Sequence, residues 1–211
     1  HQIEAGGAEL NWHRPRRIAD FSVGQPGGPD YLFDCRGLGA QPDWQNLRGV
    51  RGEVIRVHAP EVTLRRPVRL IHPRYPLYIA PRPGGVFVIG ATEIESEDMS
   101  PMTVRSALEL LSAAYTVHSG FAEARILEMA TQCRPTLPDN LPALRQLGPR
   151  TLQINGLYRH GFMIAPAMLD AAMEWADGGQ TWLADSFPLR LESGMAPRVE
   201  QSGHPQRSRA S

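Results

Sequence analysis

The sequence predicts an α+β fold organised on an antiparallel sheet. Two observations carry this. Short apolar runs of strand length recur along the chain, whereas only two stretches have helical periodicity. Two of those runs, Leu77–Pro81 and Val86–Ala91, are joined by Arg82-Pro83-Gly84-Gly85, a strong hairpin signal.

Taken in order, Glu9–His13 reads as a short strand, followed by a loop rich in Arg, Gly and Pro through Asp30. Tyr31–Cys35 is a compact apolar run and reads as a buried strand, leading into a glycine turn at Arg36–Ala40. Val50–His58 is the next strand, and Gly52 inside it marks a weak point, a bulge or a close backbone approach. Val68–His72 precedes the hairpin. A helix is expected from Ser100 as N-cap with Pro101 in its first turn, carrying Val104, Leu108, Leu111 and Tyr115 and ending at Gly120. Arg125–Gln132 and Thr151–Asn155 read as strands. The second helix is expected near Pro166, with Met168, Leu169, Ala172, Met173 and Ala176 at helical spacing, stopping at Gly178-Gly179. From Ser186 the chain lacks periodicity, and Leu191–Ser211 reads as disordered.

The stretch from Thr151 to Asp177 organises the rest. Strand, loop and helix follow one another, and Gly156 and Gly161 bracket Tyr158, Arg159 and His160. Glycines let backbone approach a ligand closely, and a helix start offers unpaired N–H groups to an electron-rich group. The pattern suits a cofactor or an anion without choosing between them.

Composition narrows the chemistry. All 22 basic residues are arginine, so no Schiff-base or P-loop lysine exists. They balance 22 carboxylates with no basic block, which argues against nucleic acid as a partner. Cys35 and Cys133 lie far apart without metal-ligand spacing, the histidines show none either, and no metal is expected. No apolar run reaches membrane-spanning length, and a reduced, cytoplasmic setting is the expectation.

Four segments, in this order and at these distances, form a more specific set: Asp34-Cys-Arg-Gly-Leu-Gly-Ala40; Val50-Arg-Gly-Glu-Val54; Tyr78-Ile-Ala-Pro-Arg82 through Val88-Ile-Gly-Ala-Thr-Glu93; and Cys133-Arg-Pro135 followed by Gly156-Leu-Tyr-Arg-His-Gly-Phe162. Over roughly residues 8–178 the chain resembles the FAD-dependent D-amino-acid oxidase superfamily, above all its glycine oxidase branch, which serves thiamine biosynthesis. The resemblance implies a mixed, largely antiparallel substrate-domain sheet with helices on one side, plus the C-terminal strand-loop-helix of an FAD-binding domain. It places an FAD-domain segment at 1–30, a strand and glycine turn at 31–48, the substrate-binding domain at 49–133, a return to the FAD domain at 134–180 and a disordered tail at 181–211. The family's opening strand and Gly-x-Gly-x-x-Gly turn do not occur in these residues. The expected reading is therefore a C-terminal part whose nucleotide-binding half is missing, with self-association and marginal stability as consequences.

The resemblance also implies roles. Hydride from the amino-acid α-carbon passes to FAD, and oxygen then takes the electrons to give peroxide. Arg134 matches the arginine that clamps the substrate carboxylate, and Tyr78 matches a tyrosine that donates a second hydrogen bond to it; as a residue alone, Tyr78 reads equally as a core tyrosine. Arg159 matches a second active-site arginine beside substrate and flavin. His160, Gly161, Phe162 and Met163 match the backbone that runs along the flavin ring, with Gly37 and Gly39 as weaker contacts. Glu93 reads as an entrance residue or as a solvated carboxylate. Sarcosine, D-amino acids and secondary amines remain alternative substrates, and dehydrogenase an alternative to oxidase. A non-catalytic module that needs a separate nucleotide-binding half is the alternative outside enzymes.

Overall fold

The computed structural model describes residues 2–71, 76–178 and 190–193. The strands are β1 (Leu32–Asp34), β2 (Arg48–His58), β3 (Val68–Ile71), β4 (Pro76–Arg82), β5 (Val86–Gly90), β6 (Arg125–Thr136), β7 (Ala143–Gly148), β8 (Thr151–Asn155) and β9 (Arg190–Ser193); the helices are α1 (Gln2–Ala5), α2 (Val104–Val117) and α3 (Gly161–Gly178). They form two sheets, an antiparallel one of order β3-β4-β5-β2-β6 and a mixed one of order β1-β8-β7-β9. The fold is α+β.

Alternation fixes the larger sheet. Ile79, Ile89 and Ile55 stand opposite one another on β4, β5 and β2, and all three are buried. With Val57, Leu77 and Phe87 they pack against Leu110, Ala113, Ala114 and Phe121, so α2 covers one face. Burying each large aliphatic side chain contributes about 1.5–3 kcal/mol. Tyr78, Gly90, Val54 and Ala130 form the neighbouring row on the opposite face. Helix α3 covers the smaller sheet, burying Met168, Ala171, Ala172 and Trp175 against Leu144 and Leu152. Between the sheets, Ala40, Trp44, Leu47, Leu137 and Ala143 form a third cluster.

Several expected elements differ. Glu9–His13 is not a strand; the segment is exposed, with Trp12 out in solvent and no strand beside it. Helix α2 starts after Thr103, whose hydroxyl accepts from the Ser106 N–H at 3.2 Å. Ser100 instead spends its own N–H and hydroxyl on Asp98. The apolar set Val104, Leu108 and Tyr115 faces solvent, because Ala113 and Ala114 let the other side of α2 approach the sheet. Helix α3 begins at Gly161, so Pro166 lies inside it and removes one backbone bond there. Strand β6 runs on through Arg134 and Pro135, a proline tolerated on an edge strand. Strand β7 was not visible in the sequence, and β9 lies in the stretch expected to be disordered. It is held by parallel pairing with β7. Residues 181–189 and 194–211 of that expected tail, Gly179 of the expected helix stop, and His72 of the strand expected at Val68–His72 lie outside the described residues. No described helix is long and apolar enough to cross a membrane.

Candidate active site

Arg134 lies on edge strand β6, on the sheet face opposite α2. It stands opposite Val50 on β2, one step from Gly52. A β-carbon on Gly52 would come within 2.3–2.4 Å of the Arg134 guanidinium, so only glycine lets that group lie flat on the sheet. Its Nη1 donates to the carbonyls of Arg51, at 3.4 Å, and Thr92, at 3.2 Å. None of the ion pairs among the described residues includes it. Burial pulls its pKa below the ordinary guanidinium value, the mark of a desolvated cation. A half-buried guanidinium held by carbonyls alone is short of an anion.

The carbonyl of Thr92 is itself anchored. Arg51 and Glu53 are buried on the opposite face of β2 and pair at 2.7 Å. Arg51 also donates to the Asp98 carbonyl and, at 3.0 Å, to that of Pro101. The Thr92 hydroxyl accepts from the Glu53 N–H at 2.9 Å and donates to the Glu53 carboxylate at 3.0 Å. Burial pushes the Glu53 carboxyl up, but hydrogen bonds from Ser106, Arg51 and Thr92 outweigh it and hold its pKa low. This network was not visible in the sequence, where Arg51 and Glu53 stand two residues apart within one strand.

The next residue, Glu93, joins the two sheets. Its carboxylate accepts the Tyr158 hydroxyl proton and pairs with Arg159 Nη1 at 2.6 Å. Burial pushes the Tyr158 phenol up, and its bond to Glu93 adds to the shift. Tyr158, Arg159 and His160 form a 3-10 turn between β8 and α3. The turn is entered through Gly156, whose φ of +76° suits glycine and whose missing side chain makes room for Leu137 and the Leu141 carbonyl. Tyr158 also takes a positive φ, 50°. Strand β6, which carries Arg134, packs against this turn, and the charges of Glu93 and Arg159 both act on the Arg134 guanidinium.

The structure thus gathers Arg134, Arg159 and Glu93, the last more closely engaged than the sequence suggested. Tyr78 lies on the same open face, about 14 Å along the strands and about 14 Å across them from Arg134 at the backbone. It is partly exposed, with the Arg69 guanidinium 5.6 Å from its ring centre. Between them Val54 fills the space beside Gly90. Gly37 and Gly39 lie in a 3-10 turn after β1, where Asn155 donates to the Gly37 carbonyl at 2.9 Å and Pro135 packs against Gly37. His160 is exposed; Gly161 opens α3, and Phe162 and Met163 project into solvent at 103% and 73% exposure. Bare apolar side chains at a helix start fit a flat ring such as flavin. No group of His, Cys, Asp and Glu among the described residues could hold a metal ion.

Residues 2–175 match the model of the family described as FAD dependent oxidoreductase. The chain belongs to that family. It is 55% identical over 139 residues to the putative thiamine biosynthesis oxidoreductase ThiO of Rhizobium etli, a match covering 66% of this chain and 42% of the relative. The chain therefore spans less than half the length of that relative. Among solved structures, the glycine oxidase of Bacillus cereus superposes with a TM-score of 0.63 at 23% identity, over 75% of this chain and 46% of the other. The iminodiacetate oxidase of a Chelativorans species gives 0.60 at 21%, over 79% and 47%. Both likenesses speak to the fold alone.

Proposed function

We propose that the protein oxidises glycine or a similarly small amino acid with FAD, releasing imine or glyoxylate, ammonia and hydrogen peroxide, in the service of thiamine biosynthesis. The observation that carries this reading is Arg134: a desolvated guanidinium, without a carboxylate partner among the described residues, on the open face of the sheet. Family membership supplies the cofactor class, and the identity to ThiO supplies the pathway.

Bound FAD would supply the hydride acceptor and the route for electrons to oxygen. The chain's own residues do the rest. Arg134 clamps the substrate carboxylate, fixing the direction and distance of the α-carbon. Tyr78, on the same open face beyond Val54, lines the substrate side, and the family resemblance is what gives it a second hydrogen bond to that carboxylate. Arg159, held by Glu93, sets one wall of the site. The segment His160–Met163 would hold the ring, its backbone and helix start stabilising negative charge on the reduced ring and the Phe162 and Met163 side chains excluding water. Gly37 and Gly39 lie farther round the same wall, where Gly37 packs on Pro135. Residues 49–133 form the substrate side in this reading, and a further segment with the nucleotide-binding turn completes the FAD site. Cys35 and Cys133 are free thiols, in keeping with a cytoplasmic setting.

The test is Arg134→Ala in the FAD-loaded protein. Loss of a charged hydrogen-bonding pair, about 1.5–3 kcal/mol, should raise KM for glycine roughly ten- to hundredfold. An unchanged KM would remove Arg134 from the site. Peroxide formation across glycine, sarcosine and D-alanine ranks the substrates, and turnover with a dye but not with oxygen would make the enzyme a dehydrogenase.

A further inference from the structure

Two guanidinium groups meet one carboxylate in this site. Glu93 commits itself to Arg159 at 2.6 Å and takes the Tyr158 hydroxyl as well. The Arg159 and Glu93 side chains are 30% and 37% exposed, so the pair sits at the rim, open to an arriving substrate. Arg134 has only carbonyl acceptors. One positive charge is therefore left for an anion from outside, and a second anionic group approaching Arg159 meets the Glu93 charge first. The Glu93 carboxylate is held at both oxygens, by Tyr158 and by Arg159, and its backbone follows Thr92, which is fixed through its hydroxyl and its carbonyl.

We propose that Glu93 is a specificity-determining residue that restricts the substrate to one carboxylate, by occupying Arg159 and repelling a second acidic group. The inference rests on the small-amino-acid reading above. It works by exclusion, since placing a like charge against the unwanted ligand separates two ligands that share the Arg134 contact. Removing that charge would free Arg159 to bind the second carboxylate of a dicarboxylic amine.

The variant is Glu93→Gln, which keeps an oxygen to accept from Tyr158 and deletes only the charge. Two ratios are read on the FAD-loaded protein. One is kcat/KM for iminodiacetate over glycine; the other is the affinity for malonate over acetate, followed by calorimetry. Both should rise about tenfold or more in Glu93→Gln, the size expected for one charge removed at close range. Adding Arg159→Ala to Glu93→Gln should return both ratios toward wild type. Ratios within twofold of wild type would overturn the proposal, and so would a gain that survives Arg159→Ala. Should Glu93→Gln fold poorly, Glu93→Leu is held to the same ratios. If wild type oxidises no amine at all, the small-amino-acid reading fails, while the malonate-over-acetate ratio still decides the role of Glu93.

Discussion

Single residues here act through what surrounds them. Arg134 is useful because its neighbours give it carbonyls and no carboxylate, whereas Arg159, of the same chemistry, is spoken for by Glu93. Asp34 shows the structural counterpart. Its buried carboxylate takes two bonds from the Arg36 side chain, at 2.7 and 2.8 Å, one from the Arg36 N–H at 3.2 Å and one from Gln153 at 2.9 Å, the last tying β1 to β8. Burial pushes its pKa up, but the bonds from Arg36 and Gln153 outweigh that and leave it below the ordinary carboxylate value. A depressed folded-state pKa contributes stability above the unfolded value, about 3.9, and that contribution is lost as pH falls through the folded value. Asp34→Asn should therefore lower stability at neutral pH by about 1.5–3 kcal/mol and flatten the loss of stability in acid. Denaturant titrations at pH 7 and at successively lower pH check it; an unchanged acid limb would contradict the assignment.

At the scale of elements, β2 and β6 bring the site together, and Gly52 is where they do so. Gly52→Ala would push on the far end of a flexible side chain, not on backbone. The expected result is a shift in Tm of a few degrees at most with KM for glycine raised about tenfold or more, since the guanidinium loses its seat. A large loss of Tm with unchanged KM would make Gly52 a matter of sheet stability alone. Much of this was readable beforehand. The larger sheet's strands announced themselves by apolar runs and the hairpin turn, and Gly52 by standing inside one. The α2 stripe was misread because both faces of that helix carry apolar residues, and only the sheet decides between Leu110 and Leu108. The Arg51–Glu53 pair and the meeting of Glu93 with Tyr158 were hidden for another reason. The first needs the 94–103 loop laid over the strand, and the second joins residues 65 apart. Composition and periodicity carry neither, and the family resemblance reached Arg159 without its partner.

The described residues form two sheets, each covered by a helix on one side, meeting where Glu93 reaches the 158–160 turn. Helix α3 buries one side and exposes Phe162, Met163, Leu169 and Met173 on others. Surface of that kind seeks cover. The chain by itself should associate with concentration in sedimentation velocity, and Leu169→Gln with Met173→Gln should weaken the association; a monodisperse monomer across concentrations would contradict this. Cover by FAD at the start of α3 is the functional counterpart, and substrate oxidation there is the central claim. The most direct test is anaerobic addition of glycine to the FAD-loaded protein while following the visible flavin band. Glycine should bleach the band in a saturable way, and in Arg134→Ala the same bleaching should need a much higher concentration. A bound, spectrally perturbed flavin that glycine, sarcosine and D-alanine all leave unbleached would contradict it.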